Sequence, residues 1–364
     1  SRGLGDVYKR QPTNYGDFQD KVDAIIKNVR DNGDKAVFDY TAQFDKAEIN
    51  AENILVTEEE IKEAYEEVDD ELIKVIRKAI KNIRDFHEKQ IQKSWFETRE
   101  DGVMLGQKVT PMETCGVYVP GGKAVYPSSV LMNIVPAHVA GVKNIIMTTP
   151  PGKDGKVTAN TLVAAKEAGA TKVYKVGGAQ AIAAMAFGTE SIPKVDKIVG
   201  PGNIFVALAK KAVYGNVSID SIAGPSEILV LADETANPRY VAADLLSQAE
   251  HDEMASAILV TTSEELAHKV SDEIDGFLNQ LSRKEIMEKS LDSFGYILVA
   301  SDMKEAIDTA NAIASEHMEI MTANPFDVMT RIKNAGAIFI GAYSCEPLGD
   351  YFACLLYTSP SPRD

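Results

Sequence analysis

The sequence predicts an α/β protein, because from Cys115 onward short apolar segments alternate with amphipathic helical segments. The segments of strand length are Gly116–Val119, Asn144–Thr148, Lys172–Val176, Lys197–Val199, Ile228–Leu231, Ala257–Thr261, Tyr296–Ala300 and Ala337–Ile340. Helical patterns fill most of the intervals, including Thr158–Ala168, Ala179–Phe187, Ile204–Val213, Pro238–Glu250 and Ser263–Leu281. This alternation predicts a largely parallel sheet with right-handed crossovers and functional sites at the carboxyl ends of the strands.

The segment before Cys115 reads as helical. Apolar spacing over Asp17–Tyr40 predicts an amphipathic helix. Thr57 and Glu60 have the spacing of a capping box, so we expect a second, long helix that continues to about Gln92.

The composition limits the possible classes of protein. The chain has 364 residues, enough for two or three domains, and 45% hydrophobic residues, as expected for a globular protein. A net charge of −16 argues against binding to a nucleic-acid backbone. No apolar run has the length of a membrane span, and the three cysteines have no paired spacing. These features indicate a cytoplasmic location.

The two ends of the chain do not fit the sequence between them. The peptide Asp6–Gln11 can be encoded by GATGTGTATAAGAGACAG, and the reverse complement of that string, read one base on, encodes Cys354–Ser359. We therefore expect residues 1–11 and 354–364 to be translated adapter DNA. On this interpretation the genuine chain covers about 12–353, is truncated at its C-terminus and is inactive alone.

Two polar pairs could carry chemistry. Gln248 and His251 are three residues apart, so on a helix they would share one face and could hold a small cation or a polar substrate. Glu316 and His317 could form a general base near neutral pH, although adjacent residues would cooperate only in a loop. Asp350 is a further candidate oxygen ligand. Each of these residues could equally be a solvated surface group.

Glycine-rich turns border several predicted strands. They are Tyr118–Gly122, Val176–Gln180, Gly200–Asn203 and Ala223–Glu227. Glycine lets backbone N–H groups approach an anionic or planar ligand, so together the turns indicate a nucleotide or phosphate site. Taken singly, each motif is typical of an ordinary turn, and none has the G-x-G-x-x-G pattern of a dinucleotide-binding site.

Several motifs resemble those of the histidinol dehydrogenases. They are GVYVPGG (116–122), VGGAQAIAAMAFGTE (176–190), VDKIVGPGN (195–203), AGPSE (223–227), DLLSQAEHD (244–252), SEHM (315–318) and GDY (349–351). The resemblance implies oxidation of L-histidinol through L-histidinal to L-histidine, using two NAD, in a zinc-dependent homodimer. It also implies two incomplete Rossmann-like domains, with 114–225 inserted into a domain formed by 12–113 and 226–353.

The resemblance further implies a role for individual residues. The zinc ligands would be Gln248, His251 and Asp350, the acid/base residues Glu316 and His317, the substrate contacts Ser226, Gln248, His251, His317 and Asp350, and the NAD contacts Tyr118, Gln180 and Asn203. The family continues past Gly349–Tyr351 with a tail that gives the partner subunit a histidine zinc ligand, and residues 354–364 do not match that tail.

Two other classes of protein stay open at this point. An aldehyde-dehydrogenase-like or acyl-phosphate-reductase-like enzyme would need Cys115 as its nucleophile. Cys115 begins a predicted buried strand and has no basic neighbour, which favours the role of a small buried hydrophobe. A non-catalytic metal-binding or nucleotide-binding protein is the third possibility.

Overall fold

The computed structural model describes residues 16–121, 127–222, 224–349 and 352. These residues form two units, an N-terminal unit that ends at Ile222 and a C-terminal unit that follows it. The expected grouping of 12–113 with 226–353 differs from this division, because the described residues before 114 belong to the N-terminal unit. No helix within the described ranges is long and apolar enough to cross a membrane.

The N-terminal unit begins with helices and a hairpin. They are α1 (Gly16–Phe44), α2 (Glu58–Glu67), α3 (Asp70–His87), a 3₁₀ turn (Glu88–Gln90), β1 (Trp95–Thr98) and β2 (Met104–Gln107). The capping box is confirmed, because the Glu60 N–H donates to Thr57 Oγ1 and the Thr57 N–H donates to Glu60 Oε2. The prediction of a single long helix after the capping box is wrong. Val68 is extended, and the Asp69 side chain caps a new helix by accepting from the Glu71 N–H at 2.8 Å.

A five-stranded parallel sheet forms the centre of the N-terminal unit. Its elements are β3 (Thr114–Tyr118), α4 (Pro127–Val139), β4 (Asn144–Thr149), α5 (Ala159–Ala168), β5 (Lys172–Lys175), α6 (Gly178–Phe187), β6 (Lys197–Val199), α7 (Ile204–Val213) and β7 (Ser218–Ile219). The strand order is β5-β4-β3-β6-β7. The order reverses between β3 and β6, and such a switch point in an open α/β sheet is where ligands bind.

The N-terminal helices help to bury one face of this sheet. Val22, Val29 and Val37 of α1 lie in one apolar core with Ile182 of α6 and Ile198 of β6. Burial of this kind stabilises a fold by about 25 cal/mol per Å² of apolar surface. The core explains why α1 belongs to the N-terminal unit.

The C-terminal unit repeats the same architecture. Its elements are β8 (Glu227–Ala232), α8 (Pro238–Ala249), β9 (Ser256–Thr261), α9 (Glu264–Leu278), α10 (Lys284–Phe294), β10 (Gly295–Val299), α11 (Met303–Ile313), β11 (His317–Met321), α12 (Pro325–Arg331), β12 (Ala337–Ile340) and α13 (Glu346–Leu348). All pairings are parallel, in the order β10-β9-β8-β11-β12. Separate apolar cores lie on the two faces, with Leu229 and Ile320 in one and Val230 and Leu259 in the other.

The predicted α/β class is confirmed, and every predicted strand overlaps a strand of the structure. The sequence missed β1, β2, β7 and β11. The omission of β11 matters most, because it places His317 at the start of a strand. Its pattern is His-Met-Glu-Ile-Met, in which polar and apolar residues alternate over only four positions, and the polar positions are buried rather than exposed.

Candidate active site

Glu316 and His317 lie at the amino end of β11, beside the amino end of β8. His317 pairs in register with Ile228, so Glu227 is the neighbour of both residues. These candidate residues therefore lie at the opposite ends of the strands from those where we expected sites. This position was not predicted from the sequence because β11, the strand that His317 begins, was not predicted either.

The hydrogen bond of His317 fixes which ring nitrogen carries the proton. His317 Nδ1 lies 3.1 Å from the carbonyl oxygen of Glu227, and the residue is 3% exposed. Since a carbonyl can only accept, Nδ1 is the donor and Nε2 holds the lone pair in the neutral ring. The buried imidazole thus presents a base at Nε2.

Glu316 is tied to the neighbouring strand by a reciprocal pair of hydrogen bonds. Its N–H donates to Glu227 Oε2 at 3.4 Å, and its Oε2 accepts from the Glu227 N–H at 3.4 Å. Its carboxylate also lies 3.8 Å from His317 Nδ1. We expected the two residues to cooperate only in a loop. Glu316 lies in the bend before β11 and His317 is the first residue of the strand, so the pair stands where the loop meets the strand. The N–H and carbonyl groups of Glu227 bond to the two side chains from β8.

Gln248 and His251 lie together at the end of α8, though not on one helix face as we expected. The helix ends at Ala249, and the His251 N–H donates to the Gln248 carbonyl oxygen at 3.0 Å in the following turn. Gln248 is fully buried, and neither atom of its amide makes a hydrogen bond to another described residue. Burial lowers the pKa of His251, which keeps its ring neutral, although the charge of Glu346 opposes this.

Glu346 is a candidate that the sequence did not reveal. It is the first residue of α13 and 1% exposed, and neither carboxylate oxygen accepts a hydrogen bond from a described residue. Its N–H donates to Glu319 Oε1 at 2.8 Å, which attaches this segment to β11. A buried carboxylate of this kind suits a cationic partner. Its segment, Cys345–Leu348, shows nothing in sequence beyond a polar turn.

A buried pair of carboxyl groups supports that segment. Burial raises the pKa of Glu319 well above its usual range, and the charge of Asp244 raises it further. Burial also raises the pKa of Asp244. Because two close carboxylates cannot both ionise cheaply away from water, Glu319 keeps its proton to a higher pH than an exposed glutamate does.

A second cluster lies in the N-terminal unit, at the carboxyl end of β3. The Tyr118 hydroxyl accepts from the Gly178 N–H at 3.1 Å, and burial raises the pKa of Tyr118 to about 12. Gln180 is 1% exposed, and its amide atoms make no hydrogen bond to a described residue. Gly178 has a φ of +65°, and a Cβ there would lie 2.6 Å from Gln180 Oε1. The turn therefore requires glycine and leaves a buried amide for a ligand.

The remaining candidate residues lie in less specific surroundings. Asn203 is exposed and caps α7, accepting from the Phe205 and Val206 N–H groups. Ser226 is half-buried, and its carbonyl oxygen accepts from the Ser256 N–H at 2.9 Å. Asp350, the third expected zinc ligand, lies outside the described residues.

Cys115 has the surroundings of a structural residue. It is buried in β3, and burial raises the pKa of its thiol to about 12. A thiol with that pKa holds almost no thiolate near neutral pH, and thiolate is the nucleophilic form. The structure therefore agrees with the role of a buried hydrophobe.

The donor set in the C-terminal unit fits a zinc ion in part. Among the described residues there is no group of three or more His, Cys, Asp or Glu side chains placed to hold a metal. Gln248 nevertheless offers a buried amide oxygen without a hydrogen bond to the described residues, next to the neutral ring of His251. Imidazole nitrogen and oxygen donors are ligands that zinc accepts.

Two parallel α/β units with polar clusters at strand edges define an α/β enzyme. The family model for histidinol dehydrogenase matches residues 8–360, a range that overlaps both end segments. The chain belongs to the histidinol dehydrogenase family, and histidinol dehydrogenase function follows from that membership. The open alternatives, an aldehyde-dehydrogenase-like enzyme and a non-catalytic binding protein, are not favoured.

Individual relatives agree with this assignment. Histidinol dehydrogenase from Clostridium acetobutylicum is 57% identical over 345 residues, which cover 95% of this chain and 80% of that protein. The enzyme from Bacillus subtilis strain 168 is 59% identical over 332 residues, covering 91% of this chain and 77% of that protein. The crystal structure of histidinol dehydrogenase from Elizabethkingia anophelis superposes with a TM-score of 0.93 at 39% identity, covering 100% of this chain and 84% of that chain.

Proposed function

We propose that this chain oxidises L-histidinol to L-histidine in two NAD-dependent steps through L-histidinal. The observation that carries this proposal is the buried His317 ring, which donates from Nδ1 to Glu227 and so presents a base at Nε2. Family membership supplies the substrate, and the structure supplies a base of suitable chemistry.

In the first step His317 removes the hydroxyl proton of the substrate. Bound NAD would supply the hydride acceptor for the carbinol carbon, so that loss of the O–H proton to His317 would leave an aldehyde. The Nδ1–H bond to Glu227 stabilises the imidazolium that forms, because the carbonyl oxygen faces the positive charge.

In the second step the aldehyde is hydrated and oxidised. Glu316 accepts a proton from the attacking water as the hydrate forms. A second bound NAD would supply the acceptor for the hydride of the hydrate, whose two hydroxyl protons are released as the carboxylate forms, one of them to His317. The bonds from Glu227 keep the Glu316 carboxylate near the imidazole, so the two groups can exchange roles as base and acid. No thiol nucleophile is required, which agrees with the raised pKa of Cys115.

Zinc and NAD would be held by separate sets of residues. Gln248, His251 and Asp350 would hold zinc, and Ser226 would contact the substrate beside them. Bound zinc would orient the substrate and polarise its oxygen as a Lewis acid. Tyr118, Gln180 and Asn203 would contact NAD at the switch point of the N-terminal sheet.

We also propose that the enzyme is a cytoplasmic homodimer. The β1–β2 hairpin supports the dimer, since two-stranded hairpins are marginally stable alone and this one exposes Trp95, Phe96 and Met104. The expected truncation stays a prediction, because residues 350, 351 and 353–364 lie outside the described residues.

The deciding experiment measures NADH formed from L-histidinol, with a yield of two NADH per substrate molecule as the expected result. Because the match covers 80% of the Clostridium acetobutylicum relative, the assay uses this chain and a version extended with the unmatched part of that relative. Turnover by this chain alone would show that the expected inactivity is wrong.

Two matched variants separate the alternatives. His317→Asn should abolish turnover, and Cys115→Ala should retain it. The reverse result would indicate a thiol-dependent aldehyde dehydrogenase. Zinc retention without any NADH from either chain would indicate a non-catalytic binding protein.

A further inference from the structure

The turn after β6 is held by a buried ion pair that the proposed chemistry does not use. The Gly200 N–H donates to Asp220 Oδ2 at 2.8 Å, and Lys210 Nζ donates to the Gly200 carbonyl oxygen at 2.9 Å. Lys210 and Asp220 also pair with each other, and their side chains are 3% and 10% exposed. Both backbone polar groups of one residue are thus bound by one ion pair.

The place of this turn makes the arrangement relevant to a ligand. Gly200 follows β6 at the switch point beside β3, and a Cβ on it would lie 2.0 Å from the Tyr118 carbonyl oxygen. Lys210 comes from α7 and Asp220 directly follows β7, so three elements converge on one peptide. The turn continues to Asn203, one of the proposed NAD contacts.

Stability alone is a poor explanation for such a pair. Removing two charges from water costs about as much as their attraction returns, so apolar residues of similar volume often stabilise a fold as well. What the pair provides is geometry, because it fixes the orientation of the Gly200 peptide against Tyr118. A preorganised turn lowers the ordering cost of binding a ligand.

We propose that Lys210 and Asp220 are positioning residues for NAD, holding the Gly200–Asn203 turn in the conformation that receives the dinucleotide. This inference rests on the proposed NAD-dependent function. The two residues act through the turn, because Lys210 is buried and its Nζ is engaged by Gly200 and Asp220.

The same unit contains a matched control. Lys175 Nζ pairs with Glu60 Oε1 at 2.5 Å, and their side chains are 6% and 20% exposed. This second buried lysine pair joins β5 to α2, and β4 and β3 lie between β5 and β6 in the sheet. Its loss should destabilise the N-terminal unit without moving the turn.

The experiment compares two double variants, Lys210→Met/Asp220→Asn and Lys175→Met/Glu60→Gln. Both avoid an uncompensated buried charge, and the Asp220→Asn change keeps an amide oxygen as acceptor for the Gly200 N–H. NADH affinity is measured by fluorescence titration, L-histidinol affinity by calorimetry and Tm by scanning calorimetry. Hydrogen exchange of the peptide that contains Gly200 reports the turn directly.

The expected result is selective. The Lys210/Asp220 variant should raise the Kd for NADH at least about 10-fold and speed exchange at the turn, because preorganisation is lost, while its Kd for L-histidinol is unchanged. The Lys175/Glu60 variant should leave the Kd for NADH within about 2-fold at a similar loss of Tm.

Three outcomes would overturn the inference. Equal NADH affinity in both variants and the wild type would show that the Lys210–Asp220 pair is only structural. The proposed function would be unaffected by that result. Parallel losses of NADH and L-histidinol affinity would indicate general destabilisation. Absence of NADH binding by the wild type would contradict the proposed function as well, which distinguishes that failure from the other two.

Discussion

The two sheets of this protein share one strand order but place their candidate sites at opposite edges. In the N-terminal unit Tyr118 is the last residue of β3, and glycine turns follow β3 and β6. In the C-terminal unit Glu227, Glu316 and His317 lie at the amino ends of β8 and β11.

This difference follows from the chemistry of each site. Backbone N–H groups in turns and at helix starts suit an anionic dinucleotide, and such turns follow the carboxyl ends of strands. Proton transfer needs side chains held in a buried, fixed orientation. Strand starts provide this here, with Gln248 in the last turn of α8 beside His251. One topology can therefore supply two kinds of site.

The largest expected effect comes from His317→Asn. Removing a general base lowers kcat by about 10²–10⁴-fold, and asparagine cannot take the alcohol proton at Nε2. NADH formation across pH 6–9 checks this, using whichever of the two chains is active. His268→Asn is the control, because that ring is exposed and should leave kcat unchanged. If His317→Asn retained the wild-type kcat, a residue other than His317 would be the general base.

Replacing one buried glutamine in each unit tests whether the two candidate sites bind different ligands. Gln248→Leu should lower zinc and L-histidinol affinity by about 10–100-fold or more and leave NADH affinity intact. Gln180→Leu should weaken NADH alone, by about 10-fold, because its buried amide would lose a ligand partner. Zinc content by elemental analysis and two binding titrations check both. Any crossed effect would contradict the separation of the two sites.

A smaller effect is expected on the pH dependence of stability. Burial raises the pKa of Glu319, so the folded chain retains a proton that the unfolded chain releases above the ordinary value of 4.5. Stability from this group therefore falls as pH rises toward the folded pKa. Glu319→Gln keeps the acceptor for Glu346 and should raise Tm at pH 8 by about 2–4 °C, with little change at pH 4.

The matched control for that prediction is Glu66→Gln, since Glu66 is exposed on α2. Its Tm difference from the wild type gives the reference for the loss of an exposed carboxyl group over the same pH range. If the Tm difference of Glu319→Gln followed that reference at every pH, the raised pKa of Glu319 would be contradicted.

The smallest expected effect concerns the residue that turns the chain into β11. Ala314 has a φ of +53°, a conformation that favours glycine. Ala314→Gly relieves this backbone strain but raises the conformational entropy of the unfolded chain. Because the two effects oppose each other, the substitution should lower the free energy of unfolding by no more than about 0.5 kcal/mol. Ala310→Gly, inside α11, should cost about 1 kcal/mol or more by chemical denaturation. Equal costs would show that Ala314 is not strained.

Sequence patterns predicted the strands that are continuous apolar runs, but not β11. His317 and Glu319 interrupt its apolar pattern, yet both are buried because Glu227 and Glu346 bond to them from other elements. The same limit hid Glu346, whose burial depends on packing against β11. The sequence pattern also could not predict the division into units, because the apolar stripe of α1 does not specify which of the two sheets the helix packs against.

The sequence by itself determined the α/β class, the capping box at Thr57 and the motifs that mark the family, because these depend on local spacing and residue type. Tertiary structure alone decided which edge each site uses, which nitrogen of His317 bears the proton, and that a buried lysine holds the Gly200 turn. Those properties arise from pairing between elements far apart in the chain, and local spacing does not encode the partner.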